Sequence, residues 1–304
     1  MDRGGWMRLA RTTPVQLWLP LLPAAVALLL LGLVVLATDR IVGDELEQRA
    51  SYRVEQAASL YADQTSRVLG RRAGVLDVAR HIHAFASTIL DRVFLLSGQL
   101  ERFVIDTEGL EVLHEALASG KGVVGITSHL GNWEVLNHFY CSQCKPIIFY
   151  RPPKLKAVDE LLRKQRVQLG NRVAASTKEG ILSVIKEVRK GGAVGIPADP
   201  EPAESAGIFV PFFATQALTS KFVPNMLAGG KAVGVFLHAL RLPDGSGYKV
   251  ILEAAPDDMY STDTETSCAA MSQVVERYVR AYPSQYMWSM KRFKKRPPGE
   301  ARWY

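Results

Sequence analysis

Cysteine is scarce in this chain, with three among 304 residues (Cys141, Cys144 and Cys268). That is too few for a disulfide-built scaffold, and the three read as ordinary thiols of a reducing compartment. No second Cys or His pair follows Cys141-x-x-Cys144 at metal spacing, so a structural zinc site is not expected. The flanking residues do not supply the strand-then-helix setting of a redox motif either. A His-Glu-x-x-His run is also missing: Glu134 and His138 stand four apart without it, and His81 and His83 would point about 200° apart on a helix. No internal repeat or low-complexity linker is present. Neither a metal nor another cofactor is called for.

Charge is absent from Val15 to Ala37, a run of 23 residues with Trp18 near one end and Pro20 and Pro23 in its first half. About 20 apolar residues suffice to cross a bilayer core. The run is longer than a secretory signal core and ends without an Ala-x-Ala site, so an uncleaved anchor is expected, spanning or re-entrant. Arg3, Arg8 and Arg11 precede it while Arg40, Arg49 and Arg53 follow, so flanking charge gives no orientation. Over the whole chain, 37 Lys and Arg face 30 Asp and Glu, a net charge of +7. That excess calls for an anionic partner.

From Ile41 to about Gln99 proline is absent, and apolar residues recur at helical spacing (Val54, Ala57, Ala58, Tyr61; then Phe85, Ile89, Val93, Leu96). After Phe103 helices and strands alternate. Helices are expected over Glu108–Ala118, Asn132–Tyr140, Lys156–Leu169, Lys178–Lys190 and Thr264–Ala281. Strands are expected over Gly122–Thr127, Pro146–Tyr150, Ala193–Pro197, Ala232–Leu240 and Tyr248–Glu253. This texture predicts an α/β fold, a mixed central sheet flanked by helices. Three regions follow: an anchor at 1–40, a helical membrane-proximal region at 41–103, and a catalytic domain at 104–304 with a basic tail.

The segment Thr127-Ser128-His129-Leu130-Gly131-Asn132-Trp133-Glu134 leaves an apolar strand and enters a helix. Open α/β sheets bind ligands at such strand ends. His129 and Glu134, five apart, cannot share one helical face; they meet only across a turn, for which Gly131 supplies the backbone freedom and Asn132 a helix cap. A neutral imidazole held by a carboxylate can take the proton of an alcohol attacking an acyl carbon. That is the base-and-orienter half of a triad, with the nucleophile supplied by the substrate. Ser128 lacks the flanking glycines of a nucleophile elbow, since Ile126 and Leu130 stand there.

Together with later blocks, this segment resembles the bacterial lipid A biosynthesis acyltransferases of the lysophospholipid acyltransferase superfamily. The blocks are HLGNWE at 129–134, Tyr150-Arg151-Pro152-Pro153-Lys154, Ala198-Asp199-Pro200, Pro211-Phe212-Phe213 with Ala217 and Thr219, and Gln285-Tyr286-Met287-Trp288 leading to Arg292-Phe293-Lys294-Lys295-Arg296-Pro297. They run in order from about 105 to 298. Ala214 stands where the family often has Gly, Pro200 where Gln is usual, and Met290-Lys291 where His or Arg is usual.

The resemblance implies a glycerolipid acyltransferase-like fold and transfer of a fatty acyl chain from an acyl carrier protein or CoA thioester to a hydroxyl of a membrane glycolipid or phospholipid, with a lipid A-type acceptor favoured. It implies His129 as general base with Glu134 as its partner, and Arg151 and Lys154 on a phosphate. Asn132, Asp199, Thr219 and Arg292 would serve the substrate, and Phe212 and Phe213 would line an acyl groove. The basic tail from Lys291 to Arg302, with Trp288, Phe293 and Trp303 interleaved, suits anionic headgroups better than nucleic acid. Expected placement is the bacterial inner membrane, catalytic domain on the cytoplasmic face. The alternatives are a lipid or thioester hydrolase and a non-catalytic lipid-binding assembly subunit.

Overall fold

The computed structural model describes residues 103–152, 160, 163, 164, 167, 172–288 and 290–303. The anchor at 1–40, nearly all of the helical region at 41–103, and most of the helix expected over Lys156–Leu169 lie outside these residues. Among the described residues no helix is long and apolar enough to cross a membrane.

Strands β1 (Val104–Glu108), β2 (Gly122–Thr127), β3 (Ile147–Tyr150), β4 (Arg172–Ala175), β5 (Ala193–Pro197), β8 (Ala232–Arg241) and β9 (Tyr248–Ala254) form one sheet in the order β1-β9-β8-β2-β5-β3-β4. Strands β8, β2, β5, β3 and β4 pair in parallel, β9 is antiparallel to β8, and β1 is parallel to β9. The sheet is therefore mixed, as expected. A separate hairpin joins β6 (Gly207–Phe212) to β7 (Thr215–Ser220).

Helices cover both faces, which is why the inner strands read as unbroken apolar runs. On one face α1 (Leu110–Ala118) and α2 (Trp133–Cys144) bury Leu113, Val135, Leu136, Phe139 and Tyr140 against Val123, Leu237 and Val250. On the other, α3 (Lys178–Arg189), α4 (Phe222–Leu227), α5 (Thr264–Ala281) and the hairpin pack Val184, Val223, Met271, Val275 and Phe212 against Val124, Ile126, Ile196 and Phe236. The two-residue period of the strands does the sorting: Val123 faces α2, Val124 faces away from it.

Five strands and helices escaped the sequence reading. β1 takes Glu108, expected in a helix, because Gly109 at φ 75 ends the strand before α1 begins. β4 is four residues long, β6 and β7 alternate weakly, and α4 is six residues with Pro224 inside. Such short elements are held by their neighbours and carry little pattern of their own.

Candidate active site

β2 ends beneath a turn, residues 128–132, whose backbone is tied down at several points. Met287 N donates to His129 O at 2.8 Å, Gly131 N to Gln285 O at 3.0 Å, and Asn132 N to Ala239 O at 2.9 Å. Gly131 sits at φ 68, and a Cβ there would fall 2.0 Å from Ala239 O, so glycine is required by both conformation and space. The Gln285–Trp288 block thus acts on the turn through its backbone, while Trp288 itself is fully buried.

Asn132 caps α2, its Oδ1 accepting from the backbone N–H of Glu134 and Val135 at 3.0 and 3.2 Å. Its Nδ2 donates to the Tyr248 hydroxyl at 2.9 Å. Fully buried, with both polar ends engaged inward, Asn132 builds the turn and does not line the cavity described below. This corrects its expected place among the substrate-binding residues.

The carboxylate bonded to His129 is that of Asp199, just past β5. Oδ1 lies 2.9 Å from Nδ1 of the ring, and Oδ2 accepts from the His129 backbone N–H at 2.8 Å. Glu134, expected in that position, opens the first turn of α2; its charge acts on His138 one turn further along, while Asp199 is the charge acting on His129. The reason is topological. β2 and β5 are adjacent, Thr127 is in register with Pro197, and Ala198 N donates to Thr127 O at 2.7 Å. Residues two beyond the ends of neighbouring parallel strands therefore lie side by side.

The Asp199 side chain is wholly buried, while a quarter of the His129 side chain (25%) reaches solvent. Burial pulls the imidazole pKa down, but the Asp199 charge and hydrogen bond outweigh it and leave it above the usual 6.5. Burial likewise pushes Asp199 up, and the His129 charge, its two hydrogen bonds and the nearby Arg292 charge bring it below the ordinary carboxylate value. An ionised Asp199 only accepts, so Nδ1 carries the hydrogen and Nε2 is left with its lone pair. Trp133 meets the ring edge-on, centroids 5.5 Å apart.

Beside this pair opens a cavity of about 220 Å³ between α2 and the sheet. His129, Trp133, Arg151 and Pro200 line one part of it, and Gly125, Tyr140, Ile148, Gly195 and Leu237 another. Arg151 is exposed there, directly after β3. Lys154 lies outside the described residues.

The remaining expected substrate residues are internal. Arg292 is 2% exposed, and its guanidinium donates to Leu218 O and, at 2.8 Å, to Thr219 Oγ1, so both serve to hold β7. Phe212 and Phe213 form an edge-on pair in the core against Phe293 and Trp288, away from the cavity. Large apolar area settles most favourably in the interior, and Phe213 is held there by its backbone N–H on Glu276. Half of the tail's bases are tied to the fold, while Lys291, Lys294 and Arg302 are exposed. Arg296 donates to Gln216 O and Thr215 Oγ1 at 2.7 and 2.6 Å, and Lys295 to Pro202 O at 3.0 Å. Cys141 and Cys144 lie in the last turn of α2, not joined in a disulfide, with burial pushing Cys144 up to about 11. Among the described residues no three His, Cys, Asp or Glu are grouped to hold a metal ion.

Comparison with known proteins gives a consistent set. The lipid A biosynthesis palmitoleoyltransferase of Escherichia coli K12 is 27% identical over 203 residues, which cover 66% of this chain and 64% of that protein. The lauroyltransferase of the same organism is 30% identical over 193 residues, 63% of this chain and 62% of the relative. Its myristoyltransferase is 27% identical over 203 residues, 66% and 62%. The match thus spans under two thirds of these relatives' own length. The model of the family described as bacterial lipid A biosynthesis acyltransferase matches residues 92–295, about two thirds of the chain. By that match, the chain belongs to the bacterial lipid A biosynthesis acyltransferase family.

Proposed function

We propose that this protein transfers a fatty acyl group from an acyl thioester to a hydroxyl of a lipid A-type glycolipid, with His129 as general base and Asp199 as the group that orients it. The observation that carries this reading is the buried Asp199 carboxylate 2.9 Å from His129 Nδ1, with the ring beside a cavity lined largely by apolar side chains. His129 Nε2 takes the proton of the acceptor hydroxyl as its oxygen attacks the thioester carbonyl carbon. The tetrahedral intermediate collapses with loss of the thiolate, which takes the proton back from the imidazolium. Asp199 favours that imidazolium and fixes the tautomer that precedes it. No enzyme nucleophile is needed, which agrees with the absence of a nucleophile elbow at Ser128.

Support for the substrates comes from the relatives, whose names specify lauroyl, myristoyl and palmitoleoyl transfer in lipid A biosynthesis. Arg151 at the cavity, with Lys154 shortly after it in sequence, is suited to a phosphate on the acceptor or on the pantetheine arm of the donor. Acyl carrier protein and CoA present the same thioester, and the chemistry is indifferent between them. The apolar run at 15–37 and the net charge of +7 favour action at the cytoplasmic face of the inner membrane, against anionic lipid.

The test is acyl transfer by the full chain in membranes, with acyl carrier protein and CoA thioesters as donors and a lipid A precursor as acceptor. The parent should yield an acylated lipid and His129→Ala should lose about 10²–10⁴-fold of the rate. Release of free fatty acid without acylated lipid would show a hydrolase, and an undiminished His129→Ala protein would show a role without catalysis.

A further inference from the structure

The cavity beside His129 continues under α2, and what closes it is specific. Gly125 of β2 and Gly195 of β5 are partners in register on neighbouring strands. A Cβ on Gly125 would fall 2.6 Å from Leu237 Cδ1 and 2.8 Å from Tyr140 Cε1; one on Gly195 would fall 2.8 Å from Ile148 Cδ1 and 3.6 Å from Tyr140 Cε1. Glycine weakens a strand interior and marks a place where another group comes close. Here that group is the Tyr140 ring, laid over both glycines from the third turn of α2. Its hydroxyl donates to Val194 O at 3.3 Å, which pins the ring to the sheet. Both its position and its orientation are thereby determined.

Tyr140, Ile148 and Leu237 also line the cavity that contains His129. From Thr127 at its upper part to Gly125 the strand descends about 7 Å. Over Gly125 and Gly195 the cavity is therefore lined by neighbouring side chains lying on backbone that carries none of its own. An alkyl tail fits the part of the cavity lined by Tyr140, Ile148 and Leu237, since it needs no hydrogen-bond partner there.

We infer that Tyr140, seated on Gly125 and Gly195, is the stop that limits the length of acyl chain the site accepts, with Ile148 and Leu237 completing the end wall. The inference rests on the acyltransferase reading and adds the residue that sets chain selection. It follows that length is decided by one ring and the two aliphatic side chains beside it, and can be altered without touching His129 or Asp199.

Competition among acyl carrier protein thioesters of graded chain length, read by mass spectrometry of the acylated lipid, tests this. Tyr140→Ala should shift the product profile to longer chains, with the ratio of longer to parent-length product rising about 10- to 200-fold for each extra methylene accommodated. Tyr140→Phe keeps the ring and should keep the parent profile, whatever its total rate. Ile148→Val removes only the Cδ1 methyl above Gly195, a change small enough to fold, and should shift the profile in the same direction. An unmoved profile in an active Tyr140→Ala or Ile148→Val protein overturns the inference and leaves the transferase reading standing. Absence of acyl transfer by the parent overturns both.

Discussion

Exchanging Asp199 for Asn separates the geometry described here from the one that chain spacing suggests. The carboxylate accepts two hydrogen bonds, from the His129 backbone N–H at 2.8 Å and from the ring at 2.9 Å. An asparagine of the same shape has one acceptor and one donor. If its oxygen stays on the backbone N–H, its amide meets Nδ1, which must then accept, and the ring proton moves to Nε2 where the base should be. If the amide turns round, the backbone N–H loses its acceptor in a buried place. Loss of the charged hydrogen bond alone is worth about 1.5–3 kcal/mol, about 10- to 150-fold in rate. Tautomer reversal takes the loss to about 10⁴-fold in comparable triads. The pH profile gives a second readout. A base must be neutral, so the parent gains activity as pH rises through a His129 pKa held above 6.5 by Asp199. With that charge removed, burial dominates and the limb should move to lower pH, above a lowered plateau. The assay is kcat/KM across pH for Asp199→Asn beside Glu134→Gln. A near-normal Asp199→Asn with the parental limb would refute the assignment of the ring's partner.

Two further predictions concern buried polar groups outside the cavity. Among the described residues His238 is fully buried with neither ring nitrogen hydrogen-bonded, and burial lowers its pKa to about 4. Its folded value lies below the unfolded 6.5, so stability is fully present above about pH 6.5 and falls by about 3 kcal/mol as pH drops toward 4. Urea unfolding at pH 7 and pH 4.5 should show His238→Phe to be less acid-sensitive than the parent, and equal sensitivity would count against it. Arg292→Leu should lower the melting temperature, since each charged hydrogen bond to β7 is worth about 1.5–3 kcal/mol. A raised KM with unchanged melting would instead show the substrate contact that sequence resemblance implies.

His129 was legible as a chemistry-bearing residue, because a short apolar run before a polar residue marks the carboxyl edge of a sheet, whereas Asp199 was singled out only by the family resemblance. The alternation of helix and strand after Phe103 likewise declared the α/β class, since the inner strands are buried on both faces. The chain could not say which strands are neighbours. His129 and Asp199 are 70 residues apart in the chain, and β2 and β5 become adjacent only in the assembled sheet order. Glu134 was expected as the partner across a turn, but it stands in the first turn of α2, and the carboxylate hydrogen-bonded to the His129 ring is that of Asp199. The same limit explains Arg292, Thr219, Phe212 and Phe213: the family resemblance implied ligand contact, while burial, which depends on every surrounding element at once, placed them in the interior. The glycines at 125 and 195 show the division most directly. The sequence sets one of these glycines in each of two expected strands without saying why, and only packing revealed the tyrosine ring that occupies the space they leave.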